Sequence, residues 1–334
     1  VAMPQNDINT CYIGGSNTSS ELNVVKTTNG GAGWTHVFTT ASNQNLYTGW
    51  CGTGGDRGWS YAESVFGIAV APQNANKVII TDFGFVHKTA DGGATWHQSY
   101  INPTTENPAG SNTPLYQSYA GIGLENTTCW QTFWIDAQNM YAGFSDIKGI
   151  RSTDAGSTWS FNYIGHNENS MYRIAKNIAN NTLYIATASV HDLYQSTRLA
   201  DAQLDAAGNT GSVKYSTNNG ASWQVLHDFS DIVAWVATNP NNANQLYASV
   251  VNSANGNGGV WVSNNINLGA ASTWTKLPNP PRTEGHPFNI VVLTDGKVVA
   301  SYSGHRDPSF TASSGVFLYD PATNTWTKIA DAPM

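Results

Sequence analysis

Thr89-Ala-Asp-Gly-Gly-Ala-Thr-Trp96 is the stretch that decides the fold, because the chain writes it several times over. Thr27-Thr-Asn-Gly-Gly-Ala-Gly-Trp34, Ser152-Thr-Asp-Ala-Gly-Ser-Thr-Trp159 and Ser216-Thr-Asn-Asn-Gly-Ala-Ser-Trp223 are the same phrase, and weaker copies end at Trp274 and Trp326. The tryptophans are 62, 63, 64, 51 and 52 residues apart, a period that marks a repeat architecture. Each position has a physical role. An Asp or Asn side chain accepts backbone N–H groups across a tight turn, glycine supplies positive φ, and Trp covers the corner with an apolar plate.

The text around each turn repeats too. Val70-Ala-Pro-Gln-Asn-Ala-Asn-Lys-Val-Ile-Ile80 and Val236-Ala-Thr-Asn-Pro-Asn-Asn-Ala-Asn-Gln-Leu-Tyr247 both read as the end of one strand, an Asn-rich turn and a second strand. A third strand leads into the repeated turn and a fourth leaves it. Four short strands per unit of ~50 to 60 residues describe a propeller blade. The expectation is therefore an all-β chain, a β-propeller of four-stranded blades with six blades recognisable, residues 1–334 forming one domain. The opening Val1-Ala-Met-Pro-Gln-Asn-Asp-Ile-Asn-Thr-Cys-Tyr-Ile13 aligns with the end of a first strand and a whole second one, so the first blade lacks most of its inner strand. That points to a fragment of a longer chain and to seven blades as the alternative for an intact ring, since an open ring exposes sheet edges. Helical periodicity is confined to Leu199-Ala-Asp-Ala-Gln-Leu-Asp-Ala-Ala207, inside an insertion.

Composition narrows the function. Of 334 residues only 11% are charged, while Gly (32), Trp (12) and Tyr (15) are abundant, a profile of β-rich extracellular proteins. The formal charge is −7 and no basic cluster occurs, which argues against nucleic acid or an anionic membrane as partner and for a neutral polymer. No apolar run reaches the length of a membrane span, and Val1 is not an initiator, so a signal peptide is read as removed or not included. Cys11, Cys51 and Cys129 are too scattered for a zinc site, and no metal or cofactor is expected. Cys51 and Cys129, in corresponding connections of consecutive blades, are expected to form a disulfide, leaving Cys11 reduced.

The repeated turn resembles the Asp-box of sialidases, sortilin-type receptors and xyloglucan hydrolases, where it is scaffold. Asp91 and Asp154 are accordingly read as structural. In such a propeller, function occupies the face opposite the box turns, where the second-to-third and fourth-to-first connections lie. Residues 39–64 carry Tyr47, Trp50, Trp59 and Tyr61, and residues 97–130 carry Tyr100, Tyr116, Tyr119 and Trp130. Flat rings suit sugar C–H faces while Asn, Asp and Gln bond hydroxyls; the alternative is that these rings pack the loops on each other. Ile80-Thr-Asp-Phe-Gly-Phe85 and Phe144-Ser-Asp-Ile-Lys-Gly-Ile150 place Asp82 and Asp146 at matching points of neighbouring units, where other units offer Asn17, Ser189, Asn252 or Ser303. Two carboxylates at that spacing suit an inverting glycosidase pair; the alternative is that each bonds its own tight turn.

These two segments resemble the Thr-Asp-x-Gly-Gly and Gly-Asp-x-x-Gly-Phe segments that carry the base and acid of xyloglucanases and oligoxyloglucan hydrolases. The resemblance implies an Asp-box propeller cleaving a β-linked plant or algal polysaccharide with inversion. This chain departs from that family, which puts the two acids on separate propellers; Gly84 also keeps one of two glycines and Ser145 replaces another. Sialidase chemistry is excluded, because it requires three clustered arginines and the chain has six in all, Arg57, Arg151, Arg173, Arg198, Arg282 and Arg306, without the Arg-Ile-Pro start. A polysaccharide lyase, using His166, His191, His286, His305 or Arg306 on a uronate, and a non-catalytic glycan-binding propeller are the alternatives. The leading expectation is a secreted glycoside hydrolase with Asp82 and Asp146 as acid and base. Trp50, Trp59, Tyr61, Tyr119, Trp130, His191, His305 and Arg306 are the expected substrate contacts, and further domains of the same polypeptide are possible partners.

Overall fold

The computed structural model describes residues 1–19, 21–56, 64–82, 84–122, 127–190, 210–251, 256–280, 286–303, 305–306, 309–310 and 314–331. The expected helix at 199–207 lies outside them. Contacts divide the chain into two compact units, Val1–Thr127 with Ser152–Asn162, and Thr128–Arg151 with Tyr163–Met334.

The first unit holds two sheets. The first is an antiparallel meander of β1 (Cys11–Ser16), β2 (Leu22–Thr27) and β3 (Thr35–Phe38), with an isolated antiparallel bridge from Ala2 to Tyr12. In the second, β5 (Gly67–Ala71), β6 (Asn74–Thr81), β7 (Val86–Thr89) and β8 (Trp96–Gln98) form the four-stranded meander, and β4 (Leu46–Tyr47) adds in parallel beside β8. Tyr12, Val24, Phe38, Val78, Ile80 and Trp96 form the core between them.

The second unit carries four sheets in sequence. They are β9 (Cys129–Trp134), β10 (Met140–Phe144) and β11 (Gly149–Ser152); β12 (Ser170–Lys176), β13 (Leu183–Ala188), β14 (Ser212–Ser216) and β15 (Gln224–Asp228); β16 (Val233–Asn239), β17 (Asn242–Val250), β18 (Gly259–Ser263) and β19 (Thr275–Lys276). The last pairs β20 (His286–Val292), β21 (Val298–Ser303), β24 (Gly315–Asp320) and β25 (Thr325–Asp331), with a small hairpin, β22 (His305–Arg306) and β23 (Ser309–Phe310), between its second and third strands. Three of the four are complete four-stranded antiparallel meanders. Their facing sides bury Tyr184, Leu226, Val236 and Leu246 in one layer and Tyr247, Val260, Phe317 and Trp326 in the next.

The repeated turns fold alike. Thr89 donates its hydroxyl to Asp91 at 2.7 Å and accepts the Gly93 amide at 3.0 Å, while Asp91 accepts the Thr95 amide at 2.9 Å. The same three bonds join Thr27, Asn29, Gly31 and Gly33, then Ser152, Asp154, Gly156 and Thr158, then Ser216, Asn218, Gly220 and Ser222. Gly93 has φ +91° and its missing Cβ would lie 2.7 Å from Val37 Cβ, so both conformation and space demand glycine there.

The tryptophans differ more than the turns. Trp96 is fully buried, donates to the Val37 carbonyl of the preceding sheet and meets Phe38 edge-on at 5.2 Å; Trp223 likewise meets Tyr141 of the preceding sheet. Trp34 is 41% exposed, because it belongs to the first sheet and no earlier described sheet covers it. For Trp96 and Trp223 the corner plate is thus a contact between sheets, whereas Trp159 bonds the Gly156 carbonyl of its own turn and Trp326 packs on Tyr302 and Tyr319 of its own sheet.

Candidate functional site

In the first unit the long connections pack on one another. Asn43 donates to the Ser111 carbonyl at 2.8 Å, Thr48 and Thr113 share a hydroxyl bond at 2.9 Å, and Gln98 bridges the Gly49 amide and the Cys51 carbonyl. Trp50 lies half-buried against Phe85, Tyr100 and Phe161 at 5.4 to 5.5 Å. Tyr119 is 1% exposed, and its hydroxyl accepts from Asn107. Both rings are used in packing. All three cysteines are free thiols, so the expected Cys51–Cys129 disulfide is corrected: Cys51 is sealed in this aromatic cluster and Cys129 is exposed.

Asp82 is closed on its own turn. Its Oδ1 accepts the Gly84 and Phe85 amides at 2.8 and 2.5 Å, its Oδ2 lies 3.2 Å from His87 Nε2, and both side chains are fully buried. A carboxylate with its lone pairs directed at backbone donors and no route to water is a turn-former.

The second unit is different, because its first strands are bulged at one level. Trp130 is an extra residue between the pairs Gln131↔Gly143 and Cys129↔Phe144; Tyr172 is extra in β12, Ala234 in β16, and one of Phe288 and Asn289 in β20. Bulges re-aim side chains, and these four send Trp130, Tyr172, Ala234 and Phe288 into one cluster with Ala188, Ile232 and Val251. Trp130 meets Tyr172 edge-on at 5.0 Å and donates its indole N–H to Ser145 Oγ at 2.9 Å.

Polar groups ring that apolar floor. Asp146, half-buried, sits at φ +67°, a left-handed position where Asp is tolerated, and its amide donates to Asn169 Oδ1 at 3.1 Å. Its charge helps to hold the Tyr172 hydroxyl well above the ordinary tyrosine range, after burial, the larger cause. Next to Asn169, Glu168 pairs with Lys214 at 2.9 Å and accepts from Ser212 at 3.0 Å. Burial raises the Glu168 pKa, but the Lys214 bond and charge outweigh it, so the carboxyl stays ionised below its usual range. Asp231 and His286, each 1% exposed, stand just before β16 and at the start of β20.

Of the sequence-predicted site residues, the structure thus gathers Asp146 and Trp130 in one place. Trp59, Tyr61 and His191 lie outside the described residues. His305 and Arg306 contribute backbone to the β22–β23 hairpin, and their side chains lie outside the described ones. Glu168, Asn169 and Lys214 were not read from the sequence; no local motif joins residues that meet only across two strands of a sheet. A separate polar cleft of about 610 Å³ opens on the turn side, lined by Asn264, Lys276, Pro278, Asn279, Tyr319 and Asn324. Among the described residues no group of His, Cys, Asp and Glu is arranged to hold a metal ion, and no helix is long and apolar enough to cross a membrane.

No family model matches the chain, and no curated protein matches it. Solved structures similar to it include a GH74 enzyme of Niastella koreensis (19% identity, 96% of this chain, 44% of that one, TM-score 0.42). A GH74 xyloglucanase of Xanthomonas campestris (13%, 97% and 46%, 0.41) and YCF48 of Cyanidioschyzon merolae (10%, 98% and 83%, 0.40) are others. The chain spans less than half the length of the two GH74 enzymes. Likeness at this level assigns no activity, substrate or partner.

Proposed function

We propose that the chain is a secreted glycan-recognising protein, a single Asp-box propeller domain of six or seven blades, and that its saccharide site is the bulged floor of the second unit. The observation that carries this reading is the meeting of Trp130 and Tyr172, on consecutive first strands, with Asp146 of the β10–β11 turn and Asn169 just before β12. A pyranose needs a ring to cover its C–H face and fixed carboxylate or amide oxygens for its hydroxyls; the half-buried Trp130, backed edge-on by the buried Tyr172, is the ring offered, and Asp146 and Asn169 are the oxygens. A low charge fraction and an excess of Trp, Tyr and Asn support a neutral, β-linked plant or algal polysaccharide as partner. Xyloglucan and mixed β-glucan retardation gels test it: Trp130→Ala and Asp146→Asn should each abolish retardation, while an unchanged mobility shift in both would remove the site.

Hydrolysis with Asp82 and Asp146 as an inverting pair is the second reading. The half-open carboxyl of Asp146 favours it, and the closed carboxylate of Asp82 weighs against it. Reducing-sugar release by the wild type that is lost in Asp82→Asn while its glycan retardation persists would raise hydrolysis above pure binding, and release retained in that variant would remove the pair. Elimination products absorbing near the ultraviolet edge would identify a lyase.

A further inference from the structure

The bulge at Tyr172 has a second effect. It turns the next residue, Arg173, onto the neighbouring sheet, where its guanidinium lies 4.3 Å from the centre of the Trp235 ring, the residue that follows the bulge in β16. Trp235 is itself fixed, its indole N–H donating to the Ile290 carbonyl of β20 at 3.0 Å. Three consecutive first strands thus build one flat, immobilised cation. Among the described residues no carboxylate and no carbonyl takes a hydrogen bond from it, and its Nε is buried without a partner. Arg173 as a whole is half-buried, so only its Nε is sealed off while the rest of the guanidinium edge stays within reach of a ligand, and an Arg held this rigidly is ordinarily matched by an anion. Burial alone, with no compensating anion, lowers its pKa from the usual guanidinium range. Neither scaffold nor neutral-sugar binding requires a charge at this point, and an apolar side chain would fill the space at lower cost.

We infer that Arg173, clamped on Trp235, is a receptor for a carboxylate group carried by the glycan, so that the chain recognises a uronate-bearing polysaccharide through a charge-assisted bond at this subsite. Planar fork and planar carboxylate match in shape, and the indole beneath blocks one face and directs the ligand to the guanidinium edge. The proposal rests on the glycan reading of the same row of strands and amends its partner from a wholly neutral polymer to a mainly neutral one that carries uronate units. Arg173 follows Tyr172 directly in β12, beside the cluster that holds Trp130.

The test compares glucuronate-bearing and neutral oligosaccharides of equal length by titration calorimetry, on the wild type, Arg173→Gln and Arg173→Lys, with the Arg173 Nε–H followed by NMR. The expected result is a loss of roughly tenfold to a hundredfold in uronate affinity for Arg173→Gln, partial retention for Arg173→Lys, and no change for the neutral ligand. The Nε–H signal should shift on adding the uronate ligand and not on adding the neutral one. Equal uronate affinity in wild type and Arg173→Gln, or a still Nε–H signal, overturns the proposal. A short peptide with a free C-terminal carboxylate that moves the signal while the uronate does not also overturns it, in favour of a peptide ligand. Failure of every glycan to bind any variant fails the glycan reading first, and a uronate-specific loss cannot then be measured; the Nε–H shift with free glucuronate decides that case.

Discussion

Trp96→Ala removes a fully buried indole at the seam between the first two sheets. Three effects add. The side chain's burial is lost, a cavity opens beside Phe38 and Val78, and the Val37 carbonyl loses its 2.6 Å donor. Large-to-small aromatic substitutions cost about 3 to 5 kcal/mol, and an orphaned buried acceptor adds about 1 to 3 where water does not reach it. Asn45 still donates to the same carbonyl at 2.9 Å, so that acceptor is not orphaned and adds little, and about 5 kcal/mol, the upper end of the truncation cost alone, is expected because the indole is fully buried. Trp96→Phe keeps an edge-on ring on Phe38 and loses the N–H bond, so about 1 to 2 kcal/mol is expected. Urea unfolding followed by far-ultraviolet circular dichroism measures both. If Trp96→Ala costs less than about 1 kcal/mol, or if Phe is no better than Ala, the seam does not depend on the tryptophan and the repeat has been misread.

The turn carboxylates make acid stability predictable. For Asp91, burial raises the pKa, but bonds from the Thr95 hydroxyl and amide and from Thr89 outweigh it and bring the value to about 2; Asp154 is lowered for the same reasons. A depressed folded-state pKa stabilises above the unfolded value and loses that contribution as pH falls through the folded one, so melting temperature should drop between about pH 4 and 2. Asp91→Asn should fold, since Asn218 makes the same bonds, and should flatten that drop; an unchanged acid slope would contradict it. Native thiol titration should modify Cys129 first and reach Cys11 and Cys51 only on denaturation, and a disulfide-linked peptide pair that mass mapping finds without reductant and loses with it would refute the free-thiol assignment. Asp82→Ala should cost about 2 to 3 kcal/mol by orphaning two turn amides while leaving glycan affinity unchanged; lost binding at an unaltered melting temperature would return Asp82 to the site.

The turns were legible because every bond in them spans four residues or fewer, so the phrase itself specifies its geometry. The strands followed, since alternation and Asn-rich corners are also local. The site was only half legible. Asp82 and Asp146 look equivalent in sequence, yet one folds onto the amides of Gly84 and Phe85 while the other takes a left-handed turn beside Asn169. Trp50 and Tyr119 read as exposed loop rings, and only the long-range bonds of Asn43, Gln98 and Asn107 turn them inward. Bulges leave no mark in a single sequence, so the row that gathers Trp130, Tyr172 and Arg173 had no signal to find.

The glycan site is tested most directly by the twelve indole N–H signals of a tryptophan-labelled sample, followed by NMR as a β-glucan or glucuronoglucan oligosaccharide is added. Trp130 and Trp235, on the bulged first strands, should move with ligand, while Trp96, Trp159 and Trp223 at the turns should stay. Movement of Trp326, whose indole bonds the Pro278 carbonyl at the turn-side cleft, with Trp130 and Trp235 unmoved would put the ligand on the other side of the sheets and contradict the account.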